Sequence, residues 1–467
     1  MTSVFDPLRL GAVTLDVLAC GHATPDALAA RQKARLAKLF DAAVRGSRFY
    51  RERLSGLPLD NSMLLSALPS VSRSELMDRF DDWVTDPQLK RAQLGAFIAD
   101  PRRIGEAYHG KYLIWESSGT SHEPGIFVQD AQTLAVYDAL EALRRSAPRP
   151  LQRWFDPMSL TERIAFVGAT SGHFASIVSM ERVRQLNPWM AQSLRCFNIL
   201  QAIPSLVDEL NAFAPTVIAT YPTVAALLAD EACRGSLHFF PKELWTGGET
   251  LSPAVRRRVE LALRCSVNNS YGASEFMSIG WECGYGKMHA NTDWLILEPV
   301  DERGRPVPAG QRSYSTLLTN LANHVQPLIR YDLGDQVTVH DDRCACGSSL
   351  PVIEVQGRSD DSLVMAGRDG KRVTLLPLAL TTVLEDDAGA FDFRLSQRDD
   401  HTLVLRLNLH DAQAATTMAR CCTALENFAT TQGVMSISVI AELGQVIPRG
   451  RSGKAQRVVA CPNPARD

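Results

Sequence analysis

The chain has 467 residues, enough for one large and one small domain, and its 45% hydrophobic and 22% charged residues are ordinary for a globular protein. The formal net charge is -3 and no basic block occurs, which argues against nucleic acid or an anionic membrane as the main partner. No apolar run reaches membrane-spanning length, and the N-terminal Met1-Thr2-Ser3-Val4-Phe5-Asp6 lacks the basic and apolar regions of a signal peptide, so a cytoplasmic location is expected. The ten cysteines are scattered rather than dense, and most are expected to be reduced and buried.

Residues 25–45 carry Leu28, Leu36, Leu39 and Ala43 at helical spacing and predict an amphipathic helix. The stretch 47–54 mixes aromatics with charge. Residues 112–116 and 126–128 read as apolar extended segments on either side of Ser117-Ser118-Gly119-Thr120-Ser121-His122-Glu123-Pro124. Strands are predicted over 163–169, 216–220, 244–246 and 266–271. Between the last two, Ser252 as N-cap and Pro253 in the first turn predict a helix over 254–263. This alternation argues for an α/β core with parallel pairing. Residues 294–300 and 314–321 read as a hairpin around 301–304, and 325–340 as further β structure. A boundary is expected near 357–361. Beyond it, strands over 391–397 and 403–409, a helix over 411–431 and a strand over 435–443 predict a small α+β unit. The expected division is thus 1–357 and 358–467.

Several loops carry chemistry. The Ser/Gly/Thr run after residue 116 lets backbone N–H groups converge on an anion while its hydroxyls add donors, as a phosphate-binding loop requires; a solvated turn has the same composition. Trp245-Thr246-Gly247-Gly248-Glu249 places two glycines at a strand end, where a backbone can approach a flat ligand such as adenine, or simply turn. In Asn269-Ser270-Tyr271-Gly272-Ala273-Ser274-Glu275 a tyrosine ring can stack on a base and a carboxylate can hold Mg2+ against phosphates. Asp335, closing Arg330-Tyr331-Asp332-Leu333-Gly334-Asp335, can accept from ribose hydroxyls. Pro448-Arg449-Gly450-Arg451-Ser452-Gly453-Lys454 is a basic, glycine-rich loop whose lysine can neutralise charge developing on a carboxylate and an α-phosphate. Taken singly, each reads equally as an ordinary turn or linker.

In order along the chain, these motifs, with Tyr221-Pro222 and Gly357-Arg358-Ser359-Asp360-Asp361, resemble the adenylate-forming superfamily of acyl-CoA synthetases, luciferase-like enzymes and nonribosomal adenylation domains. The phenylacetate–CoA ligase branch is the most similar, and the resemblance runs from about residue 31 to 458. It implies a large N-terminal domain with mixed sheets and a small mobile C-terminal α+β domain. It implies that Ser117, Ser118, Gly119, Thr120 and Ser121 wrap the β- and γ-phosphates of ATP. Gly248 and Glu249 would flank adenine, Tyr271 would stack on it, with Gly272 and Ser274 in the same loop, and Glu275 would ligate Mg2+. Asp335 and Arg358 would bind ribose, Asp360 would be the hinge, and His173 would lie near the acyl carboxylate. Lys454 would be the lysine of the adenylation half-reaction. His122 departs from the pattern, which usually has glycine there; its Cβ restricts the backbone, while its ring can donate to a phosphate.

The implied reaction is ATP-dependent activation of a carboxylic acid, aryl or arylacetic by family weight, to acyl-AMP, with transfer to coenzyme A. A carrier-protein phosphopantetheine or an amine is the other acceptor, and a catalytically weak acyl-nucleotide-binding protein is the third reading. A homodimer is compatible. Cys283 and His289, with Cys344 and Cys346, make a Cys3His set suited to structural Zn2+, or reduced cysteines packed beneath a loop. Some ligases of the resembled branch carry zinc beside the Tyr-Gly-x-Ser/Thr-Glu loop.

Overall fold

The computed structural model describes residues 4–460 apart from 22, 56–64, 118–123, 145–161, 200, 359–362, 369, 371, 376, 411–412 and 449–455. Ser118, Gly119, Thr120, Ser121, His122, Asp360 and Lys454 lie outside the described residues.

Strands β1 (Leu113–Glu116) and β2 (Ile126–Gln129) pair antiparallel across the Ser-rich loop. Next come β3 (Ile164–Gly168), β4 (Leu194–Asn198), β5 (Val217–Thr220), β6 (Glu243–Gly247), β7 (Ser266–Ala273), β8 (Phe276–Glu282) and β9 (Met288–Ala290). Strands β10 (Leu295–Val300) and β11 (Ser315–Asn320) form the expected hairpin, extended by β12 (Tyr331–Asp332). With β13 (Asp335–His340) and β14 (Val352–Arg358), nine strands build one sheet in the order β13-β14-β9-β8-β7-β6-β5-β3-β4. The half from β4 to β7 is parallel and the rest is antiparallel.

The centre of the parallel half, β3 and β5, is buried throughout because these strands are short apolar runs covered by helices. One face packs on Ile203–Phe213, Pro222–Cys233 and Pro253–Leu263 through Leu210, Val224, Leu228, Val255 and Val259. The last of these helices starts as the sequence predicts, with the Ser252 hydroxyl accepting from the Val255 amide at 3.1 Å. A larger core gathers Trp83, Trp115, Phe276 and Tyr331 beneath β1, β2 and the helix Ala131–Arg144. That helix is tied to the β9–β10 connection by the buried Arg144–Asp293 pair at 2.6 Å. Removing one partner of such a pair costs about 3–5 kcal/mol.

Residues 325–330, expected as β structure, are not a strand. Asn323 Oδ1 accepts from the amides of Val325 at 3.0 Å and Gln326 at 2.9 Å, and Arg330 sits at φ 53, so side chains and a left-handed residue take the place of ladder bonds.

The C-terminal part holds a hairpin, β15 (Leu363–Ala366) with β16 (Arg372–Leu375), and a separate sheet. This sheet comprises β17 (Phe393–Gln397), β18 (Thr402–Leu407), β19 (Ser438–Leu443) and β20 (Val458–Val459), ordered β19-β18-β17-β20. The helix Ala414–Thr431 covers it through Met418, Cys421 and Leu425, within a core distinct from the other two. Strand β20 and the β15–β16 hairpin were not predicted. No described helix is long and apolar enough to cross a membrane.

Candidate active site

In an open α/β sheet, ligands bind in the crevice beyond the carboxyl ends of the parallel strands. Here β3, β5, β6 and β7 lie side by side, and their carboxyl ends lead into His173, Tyr221-Pro222, Gly248-Glu249 and the Tyr271–Glu275 turn. Four of the sequence motifs therefore share one edge of one sheet.

The motifs also touch one another. The Glu249 carboxylate accepts from the Thr223 amide at 3.1 Å, at the start of the helix after Tyr221, where a negative group is favoured. The Tyr271 hydroxyl donates to Asp335 Oδ2 at 2.6 Å, joining the residue assigned to adenine with one assigned to ribose. Asp335 opens β13 opposite Arg358, the last residue of β14. The main chain of Glu116 donates to the His173 carbonyl at 2.7 Å, which fixes the end of β1 beside the loop after β3.

Ser117 closes the base of the Ser/Gly/Thr loop. Its hydroxyl accepts from the Gly125 amide and its amide donates to the Gly125 carbonyl, both at 2.8 Å. The described ends of the loop are thus clamped by β1 and β2. Gly248 has φ +77, a conformation in which a Cβ is strained. Gly272 has a structural reason of its own: a Cβ there would lie 2.0 Å from the Met277 carbonyl oxygen across the β7–β8 turn. The Ser274 carbonyl accepts from the Trp115 indole at 2.8 Å and ties that turn to β1.

Glu275 is buried. Its Oε1 accepts from the Tyr331 hydroxyl at 2.7 Å and lies 3.6 Å from an Arg73 nitrogen. Burial, reinforced by the Glu275 charge, pushes the Tyr331 phenol well above its usual value, so it remains a donor. Neither Tyr331 nor Arg73 was singled out in the sequence. Tyr331 lies inside a quoted motif, but Arg73 is 202 positions from Glu275 and carries no local signal. His173 is fully buried; its Nε2–H donates to the Asp100 carbonyl at 3.1 Å, and Nδ1 has no hydrogen-bond partner among the described residues.

Cys283, His289, Cys344 and Cys346 come together, their ligand atoms all within 4.8 Å of one another. Cys283 Sγ and Cys344 Sγ are 3.8 Å apart; two thiolates on a tetrahedral Zn2+ at about 2.3 Å each stand about 3.8 Å apart. His289 Nδ1–H donates to the Leu350 carbonyl at 2.8 Å, which aims Nε2 at Cys346 Sγ, 3.3 Å away. Burial lowers the His289 pKa and favours the neutral imidazole that binds metal. The Cys346 amide holds the Cys344 thiol below its usual value, and burial pushes Cys346 up to about 11. The cluster lies where β9 meets β14, on the antiparallel half of the sheet whose parallel half carries the motif loops.

No family model matches the chain. It is 27% identical over 138 residues to Protein CapK of Staphylococcus aureus, a match spanning 29% of this chain and 29% of that protein. Among solved structures, it is similar to 2-hydroxyisobutyryl-CoA ligase in the postadenylation state, with a TM-score of 0.68 and 20% identity over 92% of this chain and 89% of that one. The same ligase in complex with 2-HIB-AMP and CoA, in the thioesterification state, gives a TM-score of 0.55 and 21% identity over 95% of this chain and 91% of that one. Anthranilate CoA ligase in complex with anthranoyl-AMP gives 0.51 and 17% identity over 74% of this chain and 65% of that one. The chain therefore has the fold of the adenylate-forming ligases, a large N-terminal α/β part followed by a small C-terminal α+β part.

Proposed function

We propose that the protein is an AMP-forming acid–CoA ligase of the phenylacetate–CoA ligase-like branch, acting in the cytoplasm on an aryl or arylacetic acid. The observation that carries this reading is the convergence of the His173, Tyr221, Gly248-Glu249 and Tyr271–Glu275 loops at the carboxyl edge of four adjacent strands, with Tyr271 bonded to Asp335.

In the first half-reaction a substrate carboxylate oxygen attacks the α-phosphate of ATP, forming acyl-AMP and releasing pyrophosphate. Two anions must meet, so charge neutralisation is the main requirement. Lys454 supplies a positive charge at the reacting oxygens. Ser117, Ser118, Gly119, Thr120 and Ser121 hold the β- and γ-phosphates, and Glu275, oriented by Tyr331, holds Mg2+, which withdraws charge from the phosphates when bound. Gly248, Glu249 and Tyr271 form the adenine site with Gly272 and Ser274, Asp335 and Arg358 take the ribose, and His173 lies near the acyl carboxylate. In the second half-reaction the coenzyme A sulfur attacks the acyl carbon, AMP leaves, and the thioester forms. We take residues 1–357 and 358–467 as the two domains, turning about Asp360 between the halves. Cys283, His289, Cys344 and Cys346 fit a structural Zn2+ that braces the sheet and takes no part in the chemistry.

Product analysis tests this reading. With ATP, Mg2+, coenzyme A and a panel of aryl, arylacetic and short hydroxy acids, AMP and acyl-CoA are expected in equal amounts for the accepted acid. Release of ADP would contradict the mechanism. Thioester appearing only on a phosphopantetheinylated carrier protein would reassign the acceptor.

A further inference from the structure

We propose that Ser252, Glu385 and Arg457 form a buried latch that holds the small C-terminal part on the large one in the orientation used for acyl-AMP formation. The latch is read from contacts; the half-reaction it serves rests on the function proposed above.

Glu385 lies on the wide turn Val383–Asp387, a single π-helical turn, and is 2% exposed. Such turns are rare and frequently mark functional positions. Its two carboxylate oxygens face opposite ways in the chain. Oε2 accepts from the Ser252 hydroxyl, at the head of the helix Pro253–Leu263 in the large part. Oε1 is 2.5 Å from Arg457 Nη1, just before β20 in the small part. The Ser252 hydroxyl is fully committed: its proton goes to Glu385 and its lone pair caps the helix through the Val255 amide. Arg457 is fixed from two more sides, donating to the Phe391 carbonyl at 3.1 Å and lying 4.2 Å above the Phe393 ring. Phe391 in turn sits under the Arg258 guanidinium, 4.4 Å from its ring centre, on the helix that Ser252 starts. The contacts close a circuit between the two parts.

Position gives the latch its purpose. Ser252 is three residues beyond Glu249, and Arg457 is three residues beyond Lys454. The circuit therefore joins the stem of the loop assigned to adenine to the stem of the loop carrying the adenylation lysine. Polar groups suit a contact that must open, because water replaces each partner when the parts separate, whereas a buried apolar seam has no such substitute. Ser252, Glu385 and Arg457 are thus positioning residues that do not touch the reactants.

Amide hydrogen exchange on the full-length protein tests the latch without requiring turnover. Glu385→Ala should speed exchange at 254–256 about tenfold or more, and Ser252→Ala should do the same at 383–387, while Ser252→Thr, which keeps the hydroxyl, changes neither. If Glu385→Ala fails to fold, Glu385→Gln serves, since it preserves shape and removes charge. Unchanged exchange in each segment when the other residue is altered overturns the latch. Where the wild type exchanges pyrophosphate, Glu385→Ala should slow that exchange about tenfold or more and leave thioester formation from supplied acyl-AMP within about twofold. An equal fall in both half-reactions also overturns it. A wild type inert with every acid would sink the ligase reading instead, and amide exchange alone would then decide the latch.

Discussion

Lys454→Ala is expected to lower acyl-AMP formation about 100- to 1,000-fold, the range seen when one preorganised charge-stabilising donor is removed from an active site. Thioester formation from supplied acyl-AMP and coenzyme A should stay within about twofold of wild type. The asymmetry follows from the proposed domain turn: a lysine on the small part can stand at the α-phosphate in one orientation only. Lys454→Arg keeps the charge and should restore part of the first half-reaction. Rapid-quench measurement of each half separately decides the matter. Comparable losses in both would remove Lys454 from its assigned role.

The second large effect concerns metal. Protein purified without chelator should contain about one zinc per chain, and Cys344→Ser should reduce this to a small fraction and lower the melting temperature by several degrees. The expectation rests on four donors within 4.8 Å of one another and on a histidine whose second nitrogen is already oriented by the Leu350 carbonyl. The loss should spread along the sheet, since His289 on β9 pairs with Val352 of β14, and β14 ends at Arg358 opposite Asp335. ATP affinity should therefore fall as a secondary effect. Zinc well below one per chain in a fully active, equally stable protein would leave these residues as reduced cysteines in a packed corner.

Much of the framework was legible in the sequence because it depends on local signals. The strands at 163–169 and 216–220 are short apolar runs bounded by polar turns, and the Ser252-Pro253 pair marks a helix start by capping alone. The loops after those strands stood out by residue type, and the fold sets them along one edge of the sheet. What was not legible depends on partners far apart in the chain. Tyr331 and Arg73 bracket Glu275 only because β12, the segment after Val71 and the β7–β8 turn meet in space. Glu385 is one acid among many until the fold places it against Ser252, 133 residues away. Strand β20 is two residues long, too short for any periodicity to show. The β structure expected over 325–330 gave way to the Asn323 side chain satisfying the backbone, a competition that hydrophobic pattern cannot register.

The central claim is that this chain activates a carboxylic acid by joining it to AMP, and ATP–pyrophosphate exchange measures that step without any acceptor. With labelled pyrophosphate, Mg2+ and each acid of an aromatic and aliphatic panel in turn, the account predicts acid-dependent incorporation of label into ATP for at least one acid, and its loss in Lys454→Ala. Exchange at background with every acid, in a folded protein that still binds ATP, would contradict it.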